Sequence, residues 1–132
     1  MITLSVPIKN SRLAVIGVAL DSGVSSGLLR IYSAPRPGVG EVLTEQILLV
    51  ELRLPKPCVA SLDGGRLTFA RMGTALCRRS GTAAWARLVD GNEHWVMDVD
   101  AGLAHSGAEL ELSNLVLFAG GAVDVSLAEI TE

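Results

Sequence analysis

Aromatic residues are few: two Trp, one Tyr and two Phe in 132 residues. A core cannot be built mainly on rings here, so aliphatic side chains must fill it. Cysteine is also scarce. Cys58 and Cys77 form neither a metal-type spacing nor a disulfide framework, and both are expected as reduced, mostly buried thiols. His94 and His105 are the only histidines, which leaves little material for a metal centre. A basic excess is missing too, since 11 Lys and Arg face 14 Asp and Glu for a net charge of −3. Nucleic-acid binding needs a basic footprint and is not expected. No long apolar run is present either. "LAVIGVAL", Leu13 to Leu20, falls far short of the roughly 20 residues that span a bilayer, so no membrane insertion is expected. The strand-like "MITLSVPI" before this run, and Asp21 directly after it, argue against a cleaved leader.

What is abundant is aliphatic surface. Hydrophobic residues make up 49% of the chain and charged residues only 19%, with a mean hydropathy of +0.44. Without a membrane, such a chain is best hidden by partners, which predicts a homo-oligomer or a component of a larger assembly.

The length predicts a single domain over residues 1–132. "ITLSVPI" alternates apolar with small polar residues and reads as a strand, so residues 1–10 are a candidate extended arm. Asn10 and Ser11 offer an N-cap, Leu13, Ile16 and Leu20 share one helical face, and Gly23 is a plausible stop. Strands follow in "LLRIYS", "QILLVELRL", "GGRLTFARM", the hairpin "AAWARLVDGNEHWVMDVD", "AELEL", "LVLF" and "AVDVSLAEI". "APRPGVGE" is a Pro/Gly loop between the first two of these. The expected class is all-β, a β-sandwich or jelly-roll-like fold with about eight strands and one short N-terminal helix.

Several patterns suggest chemistry, and each has a plainer reading. "GVSSG", Gly23 to Gly27, fits the G-x-S-x-G of hydrolase nucleophiles. That motif needs a strand before the serine and a helix after it; here the order is reversed, so a turn is expected. Asp98, Asp100 and Glu109 fall at positions one, three and twelve of a calcium loop. Gly102 and Leu103 stand where an oxygen ligand and the obligatory glycine belong, so no metal is expected. His105 and Ser106 are adjacent and point apart in an extended segment, which suits a turn better than a catalytic pair. Glu109 and Glu111 alternate with leucines as on a half-buried strand, not across a cleft. Arg66, Arg71, Arg78 and Arg79 cluster in mid-chain, where they read as a solvated edge or a contact for an acidic partner. Trp85 and Trp95 occupy opposite arms of one hairpin, and at least one is expected in the core. Neither a catalytic group nor a cofactor site is expected.

The order of four segments adds a resemblance. "GLLRIYSAPRPG", "ILLVELRLPKP", "SGTAAWARLVDGNEHWVMDVD" and "SGAELELSNLVLFAGGAVDVSLAEI" make the chain resemble small phage and prophage virion proteins of the capsid decoration, or head-cement, type. The likeness covers roughly residues 12 to 130, while "SLDGGRLTFARMGTALCRRS" departs from it with arginines and a cysteine where small residues are expected. It implies a virion structural protein, assembled in the bacterial host cytoplasm, that stabilises the head through protein–protein contacts. The implied partner is the major capsid protein or another virion protein. The expected contact residues are Ile2, Leu4 and Val6 of the arm, Trp85, Trp95, Arg78 and Arg79. Two other readings compete. One is a tail, baseplate or fibre-associated module that binds carbohydrate near Trp95, His94 and Asp98; the other is a small hydrolase.

Overall fold

The computed structural model describes residues 1–39 and 41–132; Gly40, within the expected Pro/Gly loop, lies outside the described residues. The chain is mostly β with one N-terminal helix, as its composition and alternation predict. Helix α1 spans Val6–Leu20. The main strands are β1 (Leu28–Tyr32), β2 (Leu48–Arg53), β3 (Val59–Asp63), β4 (Arg66–Phe69), β7 (Trp85–Val89), β8 (Trp95–Leu103), β9 (Leu110–Leu112) and β12 (Val125–Thr131). They form one curled eight-stranded sheet in the order β2-β1-β7-β8-β9-β12-β4-β3. Two small ribbons lie beside it. One pairs β5 (Ala75–Leu76) with β11 (Ala122–Val123), the other β6 (Gly81–Thr82) with β10 (Val116–Leu117).

The N-terminal expectation needs correcting. Residues 1–5 have no regular structure, but Val6 to Asn10 are helical, so "ITLSVPI" is not a strand and the arm of residues 1–10 shrinks by half. Pro7 explains the shift. Its fixed φ suits a first helical turn, and its missing N–H is one that a helix start leaves unbonded anyway. Ser5, not Asn10, takes the N-cap position; the Asn10 side chain instead accepts a hydrogen bond from the Gly65 N–H at 2.8 Å.

The concave side of the sheet holds the core. Leu29 and Ile31 of β1, Leu52 of β2, Ala86 and Leu88 of β7, Val99 of β8, Leu110 and Leu112 of β9 and Leu67 of β4 are buried there. Leu13, Gly17 and Leu20 of α1 close it. Gly17 is a close-approach glycine, since a Cβ there would stand 2.6 Å from Val59 Cγ2 on β3. The helix is pinned to the same strand by Asp21, whose carboxylate accepts the Cys58 N–H at 3.0 Å.

Cys58 and Cys77 are both free and buried. Burial pushes the Cys58 thiol up to about 12, with the neighbouring Asp21 charge adding to the effect. A thiol whose pKa is raised on folding contributes stability below its unfolded pKa of about 8.5 and loses it as pH climbs towards the folded value. Stability is therefore expected to fall as pH rises from about 9 towards 12. A Cys58→Ser variant should show a shallower fall in urea midpoints over that window. Native Cys58 should also resist a thiol reagent at pH 8 and react only on unfolding.

Candidate functional site

The convex side of β2, β1, β7 and β8 carries the densest polar constellation. Register places Glu51, Arg30, Arg87 and Asp98 side by side across the four strands. Two arginines directly opposite would repel. Each is balanced by a carboxylate on its far side. Arg30 Nε donates to Glu51 at 2.8 Å, and Arg87 holds Asp98 through two bonds of 2.8 and 3.0 Å. The Asp98 bond, against the cost of desolvation, lifts the Arg87 guanidinium above its usual pKa. Glu93 reaches Arg30 from the β7–β8 turn, and Arg78 reaches Glu51 at 3.4 Å.

The two tryptophans belong to this same side but differ in fate. Trp95 is half exposed, with its indole N–H on Asp98 at 3.0 Å and the Arg87 guanidinium 5.9 Å from its ring centre. Trp85 is fully buried. Its ring stacks on Tyr32 at 4.8 Å, Arg87 lies 5.3 Å from its centre, and its N–H bonds the Ser33 carbonyl at 2.9 Å. The loop after Ser33 is tied across the sheet, because Arg36 bonds Asp100 at 2.7 Å and the Asp98 carbonyl at 3.1 Å. Trp85 is therefore core and offers nothing to a partner, which removes it from the expected contact residues.

The β7–β8 turn is built on Asp90, whose carboxylate accepts the N–H groups of Asn92 at 2.8 Å and His94 at 2.9 Å. These bonds, His94's first, hold its pKa below the usual carboxylate value. The His94 ring reaches the same carboxylate at 3.3 Å and is otherwise largely in solvent.

The second concentration of exposed groups is apolar. Ile2 (84% exposed), Val6, Ile8, Val15 (66%) and Val18 (70%) lie on the N-terminal segment and the solvent side of α1. Leu4 is partly covered; it lines a shallow cleft with Lys9, Arg12 and Glu132, where Arg12 and Glu132 form an ion pair of 2.6 Å. Among the expected contact residues, Ile2 and Leu4 are thus brought together in this cleft, while Trp95 sits on the charged side of the sheet. Arg78 is exposed beside the β2 edge, where its N–H bonds the Leu49 carbonyl. Arg79 is exposed next to it. Arg66, on β4, lies towards the opposite end of the strand order, and Arg71 lines a separate groove with Arg53 and Pro55, so the basic cluster of the sequence is not one patch.

The motif-like stretches have structural duties. Ser25 of "GVSSG" donates its hydroxyl to the Gly91 carbonyl at 3.0 Å. Ser106 accepts the Ala108 N–H within a turn in which His105 has φ 65° and Gly107 φ 87°. Asp98 and Asp100 are committed to Arg87 and Arg36, and Glu109 accepts the Asp100 N–H at 3.1 Å. No cluster of potential metal ligands occurs among the described residues, and none of their helices is long and apolar enough to cross a membrane.

No family model, curated protein or solved structure matches the chain. The site must therefore be read from its own geometry.

Proposed function

We propose that this chain is a structural protein of a phage virion, of the capsid decoration type, that works by burying surface against neighbouring subunits. The observation that carries the proposal is the uncovered apolar side of α1 and the N-terminal segment. A helix with valines on its solvent side as well as leucines on its core side resembles a buried helix rather than a surface one. Exposed apolar side chains concentrated on one segment in this way mark a protein contact. Many copies on a shell would add their contacts, so that modest individual affinities give firm clamping. The segment order noted above supplies the virion context, with the major capsid protein, another virion protein or further copies of this chain as partners.

Val15→Asp combined with Val18→Asp tests this reading. Both side chains are already in solvent, so thermal unfolding of the isolated chain is expected to stay within a few degrees of the parent. Co-sedimentation with purified shells is expected to weaken at least about tenfold, because two apolar contacts become buried charges. Equal co-sedimentation by parent and variant would remove α1 from the interface. No co-sedimentation by the parent would remove the decoration role.

A second reading has its own observation. Half-exposed Trp95, flanked by Asp98 and Arg87, is the kind of aromatic platform with polar neighbours on which a sugar ring stacks, as in a tail or fibre-associated module. A glycan screen in which Trp95→Ala abolishes a hit would favour it.

A further inference from the structure

The sheet is missing part of a strand. β9 is only Leu110–Leu112, and over that length it is hydrogen-bonded to β8 on one side and β12 on the other. There β8 and β12 are two strand spacings apart, about 9.5 Å. Beyond the start of β9 both neighbours continue, β8 back to Trp95 and β12 on to Thr131. Between them lies an open cleft of about 530 Å³.

The edges of this cleft carry backbone groups aimed into it. On β8 the Ala101 N–H bonds the Ala84 carbonyl, on the β7 side, whereas the Asp100 N–H turns the other way to Glu109. Strand alternation sends the Asp98 N–H in the same direction as that of Asp100. On β12 the Glu132 N–H bonds Gly65, on the β4 side, so the Thr131 N–H and carbonyl face the cleft. The Asp98 carbonyl is already taken by Arg36.

The side chains sort by face. Met97, Val99 and Ile130 share the core-side parity of their strands and form an apolar floor. Asp98, Glu109, Glu111 and Glu129 have the opposite parity and form an acidic rim. Arg87 neutralises Asp98, and Arg66 approaches Glu129 only to 4.0 Å. Among the described residues, neither Glu109 nor Glu111 has a cation within ion-pair distance.

We propose that this cleft is an acceptor for a β-strand from a partner protein, an extended segment that alternates apolar with basic residues. Its backbone pairs with β8 and β12, completing the strand that β9 begins. Its apolar side chains cover Met97, Val99 and Ile130, and its lysines or arginines meet Glu109, Glu111 and Glu129. Strand addition of this type takes affinity from main-chain bonds and specificity from alternate side chains. The N-terminal segment of a second copy, "MITLS", has no basic side chain and matches the rim less well. The inference stands apart from the virion reading, since it concerns a different face of the fold.

The test uses the full chain and two blocked peptides of about seven residues, one alternating lysine with valine and the other glutamate with valine. The lysine peptide is expected to slow amide exchange at Asp98 and Thr131, and the glutamate peptide to bind at least about tenfold more weakly. Thr131→Pro removes a donor that faces the cleft but none that bonds β4, and is expected to cut affinity at least about tenfold with unfolding unchanged. Should that variant fold poorly, Glu109→Gln with Glu111→Gln keeps the fold and the Asp100 bond, and is expected to lower affinity and flatten its salt dependence. Unchanged exchange at both amides with peptide present would overturn the proposal, as would equal affinity for the two peptides. Protection of the two amides in concentrated protein that disappears on dilution would also overturn it, because a second copy would then fill the cleft.

Discussion

Trp85→Ala is expected to destabilise the chain by about 3–5 kcal/mol, a large part of the roughly 5–15 kcal/mol that holds a domain of ordinary size together. Three losses coincide at this position. The largest side chain in the buried set is removed, leaving a void. Tyr32 loses the ring it stacks on. The Ser33 carbonyl loses its indole donor, and with it one tie between the β1 end and the loop that crosses the sheet. Urea unfolding should show the drop as a lower midpoint with little change in slope. Trp85→Phe keeps the stack and loses the hydrogen bond, so it should fall between the two. A midpoint unchanged by Trp85→Ala would mean that the ring is not part of the core. It would return Trp85 to the candidate contact residues.

Gly91→Ala is expected to be the next most damaging single change, at roughly 2–4 kcal/mol. The β7–β8 turn presses against the loop that leaves α1. The Gly91 N–H bonds the Ser22 carbonyl at 2.8 Å, and the Gly91 carbonyl accepts the Ser25 hydroxyl. A Cβ at position 91 would overlap the Ser25 carbonyl oxygen, stand 2.8 Å from its carbon and lie 3.0 Å from the Ser22 oxygen. These are backbone atoms and cannot swing aside as a side chain could. One of the two loops must move, and the hydrogen bonds between them go with it. Thermal melts should show the loss, and amide exchange should speed up first at Gly91. Gly64→Ala, where a Cβ meets open space but φ is +61°, is a control for glycine strain without collision.

Where the fold was legible, local chemistry agreed with the long-range outcome. "LLRIYS" and "AAWARLVDGNEHWVMDVD" alternate cleanly or carry a D-G turn, and they became β1, β7 and β8. The first eight residues misled because "ITLSVPI" alternates as a strand does, while Pro7 quietly favours a helix start. β3 was missed because "VASLD" is short and mixed, and it is held by α1 and β4 rather than by its own pattern. β5 and β6 are two residues each, too short for periodicity to register, whereas β10 falls within the expected "LVLF" strand and "AVDVSLAEI" is divided at Asp124 into β11 and β12. The fate of the tryptophans was beyond reach for a different reason. Trp85 and Trp95 are both convex-side residues, and their different burial depends on neighbours distant in sequence, with Tyr32 and Ser33 packed and bonded against Trp85. The arginine cluster dissolved because the strand order separates Arg66 on β4 from Arg78 beside β2. The cleft between β8 and β12 could not be read at all, since it depends on where β9 stops and not on any motif.

The place of β12 in the sheet sets the order in which the protein can be made. β3 and β4 pair with each other early in the sequence, yet the sheet reaches them only through β12. During synthesis the β1, β2, β7 and β8 group can assemble while the β3–β4 hairpin waits with an open edge. It cannot join until the last strand has cleared the ribosome and slotted between β4 and β9. Such distant pairings make folding slow and leave strand edges exposed in the meantime. A nascent chain stalled before Val125 should accordingly be a target for chaperones and proteases.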